Sequence, residues 1–392
     1  MLYTHELILR LQTARRALLP STIFTMSYRK IGRLAVLALI WLPLSCGKDT
    51  GPKQPNFDRG AMLEHYADQL IVPAFQQLNQ QADSLLTYWS HFLANPDSVQ
   101  LGQLRAQWFA TALAFESANA FNFGPAGEQG TLKSLTEEIG LFPVSVAKVE
   151  GFIATGDTTL NNFDRDSRGL FAIEYLIYGT TDNTQDVLQA LQEPTRMAYL
   201  GALFNHLKQR VGSIVSNWPA YRTTFIKNDG TDAGSATSSL YNEFVRSFEN
   251  LKNFKVALPA GKRAGQTQAE PQLVEAYYSK RSIPLLEAHL ASIERIYDGT
   301  TLSGAPGAGL RAYLLQVEGG PALVSATEAQ WQAVQSAFSQ LPTSQPLSTL
   351  IQNGDPSVEA LFVELQKHTR FFKSDMSSLL GIAITYNSGD GD

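Results

Sequence analysis

Residues 200–214 read LGALFNHLKQRVGSI, and Leu200, Leu203, Phe204, Leu207, Val211 and Ile214 recur in it every three or four positions. That spacing lays one apolar stripe along an α-helix. A second stripe, Val358, Leu361, Phe362, Leu365, Phe372, Met376 and Leu379, repeats the pattern near the C-terminus, and strand-like alternation is nearly absent between them. Long amphipathic helices bury their stripes against one another, so an all-α fold of two helical bundles packed around a cleft is expected. Helices are predicted near 60–93, 98–120, 131–155, 168–178, 183–216, 238–256, 271–298, 323–340 and 356–382. Asn95-Pro96-Asp97, Phe123-Gly124-Pro125 and Gly179 before Thr180-Thr181-Asp182 supply turn chemistry at the breaks. The stretch Asn228–Ser239, rich in Gly, Ser, Thr and Asp, marks the domain junction and separates bundles 59–227 and 228–392.

The chain has 392 residues, 44% of them hydrophobic, which is ordinary globular composition. Of its 31 Lys and Arg, six stand in residues 1–45 beside one acid, Glu6, leaving 25 basic and 35 acidic residues beyond. A surface with that balance repels phosphate backbones and argues against a nucleic-acid partner. Cys46 is the one cysteine, so neither an internal disulfide nor a cysteine zinc site can form.

The stretch Asp164–Gly179, DRDSRGLFAIEYLIYG, carries the candidate chemistry. Asp166 or Ser167 can cap a helix that Gly179 ends. Leu170, Ala172, Ile173, Leu176 and Ile177 fall on one side of it, and Phe171, Glu174, Tyr175 and Tyr178 on the other. Glu174 is the only charged side chain between Arg168 and Asp182. A carboxylate among aromatic groups is either hydrogen-bonded to a neighbouring helix or poised in a cleft as a cation ligand. The phenol oxygens of Tyr175 and Tyr178 suggest an oxygen-only site for a hard ion such as ferric iron. The histidines beyond residue 45, His65, His91, His206, His289 and His368, are scattered, and no H-E-x-x-H occurs. His368 reads as a packed core residue, His65 as part of a solvated helix surface, and Asp390 and Asp392 as a solvated tail.

Gly169-Leu170-Phe171-Ala172-Ile173-Glu174 resembles the G-x-H-x-x-E motif of the imelysin family, with Phe171 in the histidine position. Further stretches are similar in order and spacing. They are Gln69–Gln76, Trp108 through Glu116 to Phe121-Asn122-Phe123-Gly124-Pro125, Ile139–Pro143, Leu258–Gly261, Ala276–Ser279 and Leu380–Asn387. The resemblance implies a cleft motif of Gly169, Phe171 and Glu174, with Glu174 and Glu116 as metal ligands for iron. Two departures thin that ligand set: Phe171 cannot coordinate, and Asn119 stands where many relatives have glutamate. The family is linked both to iron uptake and to a metallopeptidase name. The reading is therefore a non-enzymatic, iron-uptake-associated binding protein that takes iron or an iron-carrying partner at a weakened interdomain site. Its alternatives are an aromatic cleft for an organic ligand or protein, and a metallopeptidase of the imelysin type.

Arg29, Lys30 and Arg33 precede an apolar run, Leu34–Leu42, followed by Pro43-Leu44-Ser45-Cys46. Positive charge, a short apolar core and a small residue describe a secretory signal too short to span a bilayer. A cysteine directly after it resembles a bacterial lipobox, with proline in the usual leucine place, and Gly-Lys-Asp beyond is similar to Bacteroidetes-type lipoprotein starts. Residues 1–45 are thus read as extension and signal peptide, with 46–58 as a tether lipidated at Cys46. The expected location is the Gram-negative cell envelope, lipid-anchored, in the outer membrane. Metabolic labelling with a palmitate analogue is expected to mark the wild-type chain and to lose its signal in Cys46→Ser.

Overall fold

The computed structural model describes residues 57–161 and 163–386; Cys46, the leader and the terminal Asp390 and Asp392 lie outside them. The described residues all fall in one compact unit. Apart from an isolated bridge between Gln129 and Leu132, the described residues contain no β-structure, and the fold is all-α as expected. Helix α1 spans 59–94 and passes through a π-helical turn at Tyr66–Ile71; α2 is Ser98–Ala118, capped by the Asp97 side chain on the Gln100 N–H. Then come α3 (Leu135–Ile139), α4 (Val146–Thr155), α5 (Gly169–Tyr178), α6 (Thr184–Ala190) and α7 (Pro194–Lys227). Beyond the junction, α8 spans 236–257 and ends in a π-helical turn, Leu251–Ala257. It is followed by α9 (Ser282–Asp298), α10 (Leu310–Leu314), α11 (Gly320–Ser339) and α12 (Leu347–Gln352). The last helix, α13, spans 356–380 with a third π-helical turn at Phe371–Met376.

Before residue 228, α1 packs on α2 and α7, and α5 packs on α2 and α7. After it, α11 packs on α13, and α8 and α9 pack together. Helix α2 against α9 joins the two sets. The two stripes read from sequence are largely buried, Leu200, Leu203, Phe204, Leu207, Val211 and Ile214 completely so. No helix among the described residues is long and apolar enough to cross a membrane.

Several boundaries differ from the sequence reading. The helix expected over 131–155 breaks after Ile139, because Pro143 cannot continue it and the Phe115 ring fills the space beside Gly140. The one expected over 183–216 breaks ahead of Pro194, which starts α7, and α7 then continues through Pro219 to Lys227. An internal proline costs about 3 kcal/mol. Burial of Trp218 and Phe225 against Phe75 and Phe123 offsets that cost. Of the range 271–298 only 282–298 is α-helical, with a single 3-10 turn at Pro271–Leu273, while α10 and α12 were too short to show a period.

Helix α5 is not capped by Asp166 or Ser167. Its N-cap is Arg168, whose guanidinium reaches the buried Glu138 carboxylate at 2.5 Å, while Arg165 meets the same group at 3.1 Å. Gly169 has φ +81°, and a β-carbon there would stand 2.5 Å from the Ile139 carbonyl oxygen. Trp108 of α2 donates its indole N–H to the Leu170 carbonyl at 2.8 Å, which fixes the depth of α5. Gly169→Ala is expected to lose about 2 kcal/mol or more, from the left-handed backbone and the clash together. Urea denaturation followed by circular dichroism measures it.

Candidate interbundle site

Helix α5 presents the motif, and its supposed cleft side is covered. Phe171 and Glu174 are 2% and 1% exposed. They share a cavity of about 30 Å³ with Phe142, Val274 and Tyr278, and the Phe171 and Phe142 rings meet edge to face at 5.5 Å. The lid of this cavity is the segment 271–281, expected as helix but folded into turns in which Ala276 and Lys280 adopt φ +54° and +61°. Non-glycine residues in that region cost about 1 kcal/mol or more each. The turn persists because Glu174 Oε1 accepts the Ser279 backbone N–H at 2.6 Å. Burial pushes Glu174 up to about 8, helped by the charge of Glu275 and opposed by the backbone N–H groups of Ser279 and Tyr278.

The tyrosines of α5 do not join Glu174. Tyr175 donates to Glu150 at 2.5 Å, and Tyr178 packs under the Arg105 guanidinium and donates to the Arg105 carbonyl at 3.4 Å. An oxygen-only site of Glu174 with two phenols is therefore not assembled. Glu116, the other predicted ligand, lies in a separate cluster. Its Oε2 accepts from Lys255 Nζ at 2.7 Å and from Asn119 Nδ2 at 2.7 Å, and it faces His289 Nδ1 at 3.3 Å. Lys255, on the π-helical turn of α8, also meets Glu275 at 2.8 Å. Ser247 bridges the Asn119 side chain and His289 Nε2, at 3.2 and 2.7 Å.

Electrostatics follow from burying these charges together. Burial pushes Glu116 up to about 8, the Glu275 carboxylate adds to the push, and Lys255 resists it. Burial pulls the Lys255 ammonium down, but Glu116 and Glu275 outweigh it and hold Lys255 above its ordinary value. Burial and then the Lys255 charge drive His289 well below the usual imidazole value, so it is neutral. Sequence reasoning missed Lys255, Glu275, His289 and Ser247. The nearest signals were the family-like stretches Leu258–Gly261 and Ala276–Ser279, which flank two of them.

Above the cluster opens a cavity of about 420 Å³. Its walls hold Phe115, Phe142 and Phe254, and its polar groups include Asn119, Asn122, Asn250 and Asn253. Two other histidine expectations are settled by the packing. His368 is fully buried, edge-on to Phe372, and pushed down to about 3 by burial, as a core residue would be. His65 is not a solvated surface residue: it is half-buried, with Nε2 2.6 Å from the Gly299 carbonyl at the end of α9.

An all-helical fold closed over a motif helix, with a chamber of aromatic rings and amides beside it, defines the class. The Imelysin family model matches residues 71–370, and the chain belongs to the imelysin family. It is 21% identical over 298 residues to iron-regulated protein A of Synechococcus elongatus, covering 73% of this chain and 76% of that one. The fold is shared with the crystal structure of an iron-regulated protein A precursor from Parabacteroides distasonis. There the TM-score is 0.65 at 16% identity, over 82% of this chain and 95% of that one. An imelysin-like protein from Psychrobacter arcticum superposes with a TM-score of 0.66 at 20% identity, over 84% and 97%.

The residues present do not fit an iron ion at the motif. Phe171 offers no donor, Glu174 is committed to the backbone of the turn, and among the described residues no three His, Cys, Asp or Glu side chains form a group that could hold a metal. The buried carboxylate has a measurable consequence. Its native pKa near 8 lies above the ordinary value, so the native state keeps a proton that the unfolded chain releases. Stability from this group is present at low pH and lost as pH rises toward 8, at up to about 1.4 kcal/mol per pH unit. Glu174→Gln is expected to lose that share of the pH dependence. Between pH 5 and pH 8 its stability should therefore shift relative to wild type by about 1 kcal/mol or more in the variant's favour, measured by urea titration.

Proposed function

We propose that this imelysin-family chain is a non-enzymatic binding protein of the bacterial cell envelope, tied to iron acquisition and held to the outer membrane through lipid on Cys46. Its ligand sits in the interbundle chamber as an organic molecule or an iron chelate, not as a bare ion at Glu174. The observation that carries this reading is the pairing of a roughly 420 Å³ chamber, lined by aromatic rings and side-chain amides, with a motif cavity of only about 30 Å³. Side-chain amides of Asn122, Asn250 and Asn253 donate and accept, while Phe254 and Phe142 give flat apolar surface. The carboxylates of Glu137, Glu249 and Glu275 on its walls outnumber Arg246 and Lys255, which disfavours anionic ligands. A neutral chelate meets these conditions. The relatives called iron-regulated protein A support the link to iron. Hydrolysis is the weaker reading, because a catalytic metal needs several protein donors and an open position, and Phe171 removes the donor the motif would supply.

Calorimetric titration of the full-length chain tests it, with ferrous ion, ferric ion and tris(acetohydroxamato)iron(III) as probes. Saturable heat is expected with the neutral chelate alone, and it should disappear in Asn250→Trp, whose side chain fills the chamber. Saturable binding of the bare ions that depends on Glu174 would return the function to the motif and overturn the chamber reading.

A further inference from the structure

A second cavity, of about 250 Å³, lies among the helices after residue 228 and shares no lining residue with the chamber. Its aromatic lining comes from Tyr297 on α9, Trp331 on α11 and Phe372 on the π-helical turn of α13. The Phe372 ring lies 5.8 Å from that of Tyr297 and 6.2 Å from that of Trp331, so the three rings form one continuous group. Tyr297 and Trp331 are 6% and 8% exposed, yet neither the phenol oxygen nor the indole nitrogen has a hydrogen-bond partner. Such orphaned groups are uncommon in a packed interior, and two of them in the lining of one cavity point to a ligand. The charge of the lining is one-sided as well. Glu294, Asp298 and Glu328 stand against Arg311 alone, an excess of two negative charges. Arg311 Nε is committed to Glu328 at 2.5 Å and remains 3.9 Å from Asp298. Burial and the charge of Glu294 push the Asp298 carboxyl above its ordinary value, with Glu328 adding to them against Arg311. Asp298 also ends α9, where the negative pole of the helix disfavours a carboxylate and favours a cation.

We propose that this cavity binds a small organic amine, its ammonium held by Asp298 and Glu294 and its carbon body laid against Trp331, Tyr297 and Phe372. The ammonium supplies the positive charge that the three carboxylates lack, and aromatic faces attract it further. The Tyr297 oxygen accepts one ammonium hydrogen, and the Trp331 N–H suits a hydroxyl oxygen elsewhere on the same molecule. A volume of about 250 Å³ fits a molecule below drug size. An inorganic cation would satisfy the carboxylates but leave the rings and the indole donor without a partner. The inference does not rest on the chamber, whose ligand is expected to be neutral.

Calorimetric titration of the full-length chain with 4-aminobutanol, 1,4-butanediol and Mg²⁺ tests the assignment. Saturable heat is expected with the amino alcohol, and none with the diol or the metal ion. Asp298→Asn and, independently, Glu294→Gln should each weaken the amine about 10-fold or more. Trp331→Phe, which keeps a ring but removes the N–H, should weaken it about 3-fold or more. Each replacement nearly conserves shape, and circular dichroism checks that the variants fold. Saturation with tris(acetohydroxamato)iron(III), the probe of the chamber, should leave the amine's affinity unchanged. Absence of saturable heat with the amine overturns the proposal, as does equal binding of the diol or of Mg²⁺. Amine binding that both carboxylate variants leave intact, or that the chelate displaces, overturns it too.

Discussion

A lysine ammonium can be buried only where carboxylates are buried with it, and in this protein they come from different parts of the chain. Lys255 on α8, Glu116 on α2 and Glu275 on the 271–281 turn meet within 2.8 Å of a common nitrogen. Separating them would leave several uncompensated charges in a low-dielectric interior, and breaking such a pair costs about 3–5 kcal/mol. The cluster therefore pins the helices before residue 228 to those after it. Asn119 and Ser247 extend the polar contact, so that α2, α8 and α9 share one hydrogen-bonded junction.

Glu174 supplies a second tie across the same seam. Its carboxylate accepts the Ser279 N–H and holds a turn that contains two left-handed non-glycine residues. With Phe171 filling the position beside it, the motif helix becomes a clasp under a lid. The open volume lies instead over the Lys255 cluster, lined by amides and aromatic rings. The two ties thus decide where the seam is closed and where it leaves room.

Family membership and fold rest on different residues from those that shape the site. The match to the family spans residues 71–370, which include the apolar stripe of α7, the turn at Phe123-Gly124-Pro125 and the motif Gly169–Glu174. Phe171, in the position that the resemblance gives to histidine, is buried against the Phe142 ring and offers no donor.

Helical class, approximate helix positions and the candidate residues Glu116, Phe171 and Glu174 were legible in the linear chain, because apolar period and motif spacing are local properties. The break after α7 was likewise readable, since glycine and short polar residues disfavour helix, but it covers only 228–235 of the stretch Asn228–Ser239, and residues 236–239 begin α8. The folding of 271–281 into turns was not, because it depends on a hydrogen bond from a residue 105 positions away. Nor was the separation of Glu174 from Glu116, or the meeting of Lys255, Glu275 and His289. A charged side chain gives no periodic signal of burial; what makes its burial tolerable is a partner of opposite charge, and only the packing of α2, α8 and α9 brings those partners within reach.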